Sequence, residues 1–116
     1  MTLHKIMQGL YSPNKAVRLK SLKLLLRHPD ATPLQLVEGL CSPDNRNFEF
    51  LKVFELGAAM RESWQRLHGV DDDEVYELLL NHFIQAPEEN KEIVMHILNA
   101  IQTERAAEMS REIRCL

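Results

Sequence analysis

Gln8-Gly9-Leu10-Tyr11-Ser12-Pro13-Asn14 recurs thirty residues later as Glu38-Gly39-Leu40-Cys41-Ser42-Pro43-Asp44. A turn used twice at such a spacing is the mark of a structural repeat, in which one supersecondary unit stacks on the next. With two residues inserted after the second turn, Leu19, Leu22 and Leu24 fall on Leu51, Phe54 and Leu56, so the segment after the turn repeats as well. A more distant third copy is Ile84-Gln85-Ala86-Pro87-Glu88, which leads into Ile93, Ile97, Leu98 and Ile101. Each unit reads as a short helix, a proline-initiated turn and a longer helix.

The residues between the turns support helix throughout. Leu, Ala, Glu, Lys and Arg outweigh Val, Ile and Thr, and no stretch shows strand-like alternation of β-branched residues. Ser12-Pro13, Thr32-Pro33 and Ser42-Pro43 each place a hydroxyl before a proline. The hydroxyl accepts a free backbone N–H and the proline has none to leave unpaired, so each pair is expected to start a helix. Asp71-Asp72-Asp73 and Pro87-Glu88-Glu89 mark two more starts, with carboxylates at the positive end of the helix dipole. Helices are expected near 2–10, 13–28, 33–41, 45–68, 73–85, 88–102 and 104–114.

Val17-Arg18, Ser21 and Leu25, following the polar turn at Ser12-Pro13, resemble the second helix of the HEAT and armadillo repeats. The match is good over residues 12–28, fair over 42–57, where Phe48-Glu49 replaces Val-Arg, and weak over 87–101. The resemblance implies an α-solenoid of about three stacked helix pairs, six to seven helices forming one all-α domain over residues 1–116. Arg18, Ser21, Leu24, Arg27-His28-Pro29, Leu40, Asn45 and Phe48 carry a looser resemblance to the helical domain of vitellogenin-type lipid-transfer proteins. This chain is too short to hold the large sheets that enclose lipid in that family.

Inner helices of a stack are apolar on most sides. The 13–28 segment has this character, with Val17, Leu19, Leu22, Leu24, Leu25 and Leu26 pointing several ways. Lys20, Lys23 and Arg27 gather on one narrow strip. Over 45–68, Phe50, Val53, Phe54, Leu56, Met60, Trp64 and Leu67 form a broad apolar face opposite Lys52, Glu55, Glu62 and Arg66. Ala106, Met109, Ile113 and Leu116 form a further apolar stripe, either a helix that folds back to cap the stack or a surface for a partner or a second copy.

Charge is unevenly spread. Residues 1–36 carry Lys5, Lys15, Arg18, Lys20, Lys23 and Arg27 against Asp30 alone. Residues 71–92 carry Asp71, Asp72, Asp73, Glu74, Glu77, Glu88, Glu89 and Glu92 against Lys91. The candidate partner-binding residues are therefore Lys20, Lys23 and Arg27 on the basic side, Asp72, Asp73, Glu74 and Glu77 on the acidic side, and Met109 and Ile113 on the C-terminal stripe. The basic strip alone suggests phosphate contact, but an overall net charge of −3 and a pI near 5.9 speak against nucleic acid.

Residue types that carry chemistry are sparse. His4, His28, His68, His82 and His96 show no spacing that would place two on one helical turn; His82 and His96 could meet across adjacent helices, but the ordinary reading is two partly exposed histidines. Asp71-Asp72-Asp73-Glu74 lacks the glycine and later glutamate of a calcium loop. No phosphate-cradling glycine loop and no nucleophile elbow occur. With only Cys41 and Cys115, no membrane span and no secretory signal at Met1-Thr2-Leu3-His4-Lys5, a cytoplasmic location is expected. The expectation is a non-enzymatic adaptor or scaffold that binds another protein without cofactor or metal. The alternatives are a nucleic-acid-binding repeat using Lys20, Lys23 and Arg27, or part of a larger solenoid or lipid carrier.

Overall fold

Thr2 accepts a hydrogen bond from the Lys5 amide at 3.3 Å and opens α1, Leu3–Gly9. In the computed structural model, which describes residues 2–41 and 57–115, six further helices follow. They are α2 (Lys15–Leu26), α3 (Pro33–Leu40), α4 (Gly57–Leu67), α5 (Asp73–Gln85), α6 (Pro87–Ile101) and α7 (Glu104–Arg114). No strand occurs among the described residues, and no helix there is long and apolar enough to cross a membrane.

Most of the expected starts are present. Thr32 and Gln35 form a reciprocal capping box, the threonine hydroxyl accepting from the Gln35 amide at 3.2 Å and the Gln35 carbonyl oxygen accepting from the Thr32 amide at 2.9 Å. Asp72 caps α5 by accepting from the Glu74 amide at 2.9 Å, and Thr103 caps α7 by accepting from the Ala106 amide at 3.1 Å. The Ser12-Pro13 start is shifted. There Asn14 is the cap, accepting from the Ala16 amide at 2.9 Å, while Ser12 accepts from the Asn14 amide at 3.1 Å and stays in the turn. Asn is at least as good a cap as Ser, and the Arg18 guanidinium donates to the Ser12 carbonyl at 2.7 Å and anchors the turn outside the helix. The expected start at Ser42-Pro43 and the first part of the 45–68 helix lie outside the described residues.

Sequential helices pack as α1 on α2, α2 on α3, α5 on α6 and α6 on α7. Alternate helices also touch: α2 meets α4 and α4 meets α6, while α3 meets α5. The core between them is aliphatic, with Leu22, Leu25 and Leu26 of α2, Leu36, Val37 and Leu40 of α3, Val75 and Leu79 of α5, and Ile93, Val94, Ile97, Leu98 and Ile101 of α6 all buried. Each such side chain contributes roughly 1.5–3 kcal/mol when fully buried.

Three expectations about facing are corrected. Val17 and Leu24 remain 41% and 37% exposed, so α2 buries one broad face and not most of its circumference. Arg66, expected on the wet face of its helix, instead donates to the carbonyls of His28 and Ala31 at 2.9 and 2.6 Å. With Ser63 donating to the Leu26 carbonyl at 3.4 Å, it satisfies the acceptors that the end of α2 and the following turn leave open. Met109 and Ile113, offered as partner-facing, turn inward: α7 packs on α6, Ile113 and Ala106 are buried, and half-buried Met109 lies against the core. Burying Ala106 and Ile113 within the chain removes their apolar area from water without a partner, and Leu116 lies outside the described residues.

The two repeated glycines have a shared structural cause. A Cβ at Gly9 would overlap the Ser21 side chain, and one at Gly39 would overlap Leu25 and press on Leu22. Both glycines therefore let a short helix, α1 or α3, approach the same helix, α2. Alanine is the better helix former by up to about 1 kcal/mol, yet overpacking a core costs about 1–3 kcal/mol. Gly9→Ala and Gly39→Ala are thus each expected to lower unfolding stability, by about 1 kcal/mol net, in urea titrations. An unchanged or raised midpoint for both variants would remove the close-approach explanation.

Candidate functional site

Several positions equivalent in sequence, counted from the proline of the recurring turn, line one surface. Leu34 and Leu78 occupy equivalent places relative to Pro43 and Pro87, as do Glu38 and His82, and Cys41 and Gln85; Tyr11 stands in the same place as Cys41 one unit earlier. These seven residues line one groove between α3 and α5, joined by Glu74, Glu77 and Asn81 from α5. Its volume is about 460 Å³. Tyr11 donates to Glu38 Oε1 at 2.6 Å, tying the turn after α1 to the last turn of α3.

Two groups in this groove are held in their protonated forms. Burial pushes the Cys41 thiol up to about 12, and no hydrogen bond to that thiol occurs among the described residues. Loss of hydration at the Tyr11 hydroxyl, reinforced by the hydrogen bond to Glu38 and its charge, pushes that phenol up to about 12. A thiol that stays protonated is a poor nucleophile and a poor metal ligand. Desolvation also holds His82 below its ordinary value of 6.5. The groove combines an apolar strip at Leu34 and Leu78, carboxylates at Glu38, Glu74 and Glu77, and side-chain amides at Asn81 and Gln85.

The expected acidic residues divide between structure and this groove. Asp72 is spent on capping α5. Asp73 accepts from Arg105 of α7, which also lies 3.8 Å from Asp71 and stacks 4.3 Å above the Tyr76 ring. Tyr76 in turn exchanges a 2.6 Å hydrogen bond with Thr103 and donates to the Val70 carbonyl, so these residues tie the start of α5 to the start of α7. Glu74 and Glu77 alone of the four reach the groove. The remaining groove residues, apart from these two, were not candidates from charge alone, though the 44-residue offset between Leu34 and Leu78 was present in the turns at Pro43 and Pro87.

Lys20 and Lys23 of α2 and Arg27 at its C-cap are all exposed. Lys23 and Arg27 border a separate cleft of about 350 Å³ with Ile6, Leu24, His28 and Pro29. The structure does not bring this strip to the acidic groove. His96 lies 3.8 Å from Glu92 on its own helix, and no group of three or more His, Cys, Asp or Glu side chains is disposed to hold a metal among the described residues. No family model matches the chain, and comparison with curated proteins and with solved structures finds no match.

Two solution properties follow from the groove. Alkylation of the native protein with iodoacetamide is expected to modify exposed Cys115 well before Cys41, with mass spectrometry reading the order; equal rates would contradict the desolvated thiol. For His82, the unfolded chain takes up a proton before the folded one as pH falls. Its contribution to stability is therefore complete above 6.5 and is lost as pH drops through the window below that value. Thermal midpoints measured from about pH 7 to about pH 5 should fall less steeply for His82→Gln than for the parent, and parallel curves would assign the pH dependence elsewhere.

Proposed function

We propose that this chain is a non-enzymatic protein-interaction module, an adaptor or scaffold whose helix pairs stack in the manner of a HEAT-type α-solenoid. The observation that carries the reading is the groove between α3 and α5, which draws equivalent positions from successive units: Leu34 with Leu78, Glu38 with His82, and Tyr11 with Cys41 and Gln85. In a repeat array, equivalent positions form a continuous surface because each unit adds the same side-chain places to it. The packing supports this arrangement, with α2, α4 and α6 in one row and α3 against α5 in another. The chemistry of the groove agrees, since its thiol and phenol are both held protonated and serve contact better than catalysis. Ligand sites of this kind combine apolar lining with a few placed polar groups.

The test is affinity capture from the native extract with three proteins: the parent, a groove variant carrying Glu74→Lys and Glu77→Lys, and a strip variant carrying Lys20→Glu, Lys23→Glu and Arg27→Glu. One protein recovered in stoichiometric amount by the parent and the strip variant, and lost by the groove variant, is the expected result. Recovery of nucleic acid alone, released by high salt and by the strip variant, would overturn the reading and make the basic strip the functional surface.

A further inference from the structure

Glu38, Glu74 and Glu77 stand around a groove that no Lys or Arg lines among the described residues. Their carboxylates come from two helices and face one concavity, whereas Lys20, Lys23 and Arg27 lie on α2 outside it. The floor is not polar. Leu34 and Leu78 are half-buried within it, and the Cys41 thiol, desolvated and without a hydrogen-bond partner among the described residues, extends the same apolar surface. An apolar floor under an acidic rim matches one kind of side chain: a long aliphatic stem ending in a cation, which buries its methylenes while its head reaches the carboxylates. A small inorganic cation would leave that floor uncovered, and an acidic or purely apolar segment would meet unmatched charge.

Resting on the protein-binding reading above, we infer that the α3/α5 groove takes an extended, Arg- or Lys-bearing segment of a partner protein. The eight residues of α3 span about 12 Å at 1.5 Å per residue, the reach of roughly four residues of extended chain. Alternate side chains of such a segment face the same way, so two cationic stems lie over Leu34 and Leu78 with their heads among Glu38, Glu74 and Glu77. Exposed Asn81 and Gln85 offer side-chain amides to the backbone of the segment.

The probe is a fluorescein-labelled hexa-arginine peptide, with hexa-glutamate as its control, titrated by fluorescence anisotropy against three forms of the full chain. These are the parent, Glu74→Gln with Glu77→Gln, and Glu108→Gln with Glu112→Gln. The last pair removes the same two charges from exposed positions on α7 outside the groove, and circular dichroism verifies that all three fold alike. Binding at roughly 50 mM salt, weakened about tenfold by the groove pair and spared by the α7 pair, is expected. Equal losses in both pairs would reduce the effect to net charge and overturn the inference, as would absent binding or equal binding of hexa-glutamate. Sedimentation velocity completes the test: concentration-dependent association of the parent, abolished by both the groove pair and Lys20→Glu with Lys23→Glu, would make a second copy the occupant and likewise overturn it. Should the peptide fail while the groove variant still loses its captured protein, the protein-binding reading stands and only the basic character of the partner falls.

Discussion

The close approach of α1 and α3 to α2 is the constraint from which the rest of the arrangement follows. At Gly9 the backbone of α1 lies against Ser21, and at Gly39 the backbone of α3 lies against Leu22 and Leu25. Side chains at those two places would hold the short helices away from α2, and Leu10, Leu36, Val37 and Leu40 would no longer reach the core they now share with Leu25 and Leu26. Ser21 is buried for the same reason, being small enough to meet a glycine. Position as well as packing depends on this. The last turn of α3 carries Glu38, and its distance from Tyr11 after α1 is set by how deeply both helices sit on α2.

Hydrogen bonds at helix ends then lock one layer to the next. Arg66 and Ser63 of α4 take up carbonyls at the end of α2 and in the turn before α3, so the α2 to α3 corner is built partly from a side chain that arrives 35 to 38 residues later. Buried Asn90 does the same at the α5 to α6 corner by donating to the His82 carbonyl at 2.7 Å, where Ala86 supplies no side-chain cap. At the far end, the Gly69 amide donates to the Ile101 carbonyl at 2.8 Å, and Tyr76 bridges to Thr103. The bonds to the carbonyls of Leu26, His28, Ala31, His82 and Ile101 satisfy acceptors that burial would otherwise make costly, which is why Ser63 and Asn90 are buried beside apolar side chains.

Helical class and most boundaries were legible because they are written in local chemistry: Thr32-Pro33, Asp72 and Thr103 act within three or four residues of themselves. Facing was less legible where a distant partner decides it. Arg66 has the amphipathic position of a wet residue, and only the carbonyls of His28 and Ala31 explain why it turns in. Asp73 reads as part of an uncompensated acidic run because Arg105, its partner, lies 32 residues further along the chain. The third repeat also departs from the first two: Ile84, equivalent to buried Leu10 and Leu40, is 61% exposed, and Phe83 takes the inward place. Glu74 and Glu77 were found from charge, but Leu34, Leu78, Glu38, Cys41 and Gln85 needed the repeat register to be carried forward onto the surface, because none is unusual in its own neighbourhood.

That register also accounts for the character of the proposed groove. If three units had presented identical side chains, the surface would be uniform; instead Tyr11, Cys41 and Gln85 fill one series of equivalent places, and Glu38 and His82 another. The groove-lining positions differ from one equivalent place to the next, while the core-facing series stays apolar at Leu10, Leu40 and the inward Phe83. A core residue is constrained by volume, so its replacements resemble it. A groove residue is constrained by what it meets, and here carboxylates, protonated hydroxyl and thiol groups, and a neutral-favouring imidazole are mixed over a leucine floor. Among the described residues no Lys or Arg lines the groove, and Lys20, Lys23 and Arg27 stand outside it. In the proposed reading, the carboxylates of Glu38, Glu74 and Glu77 would select and orient a partner by their field, and the leucine floor would supply the contact area that holds it.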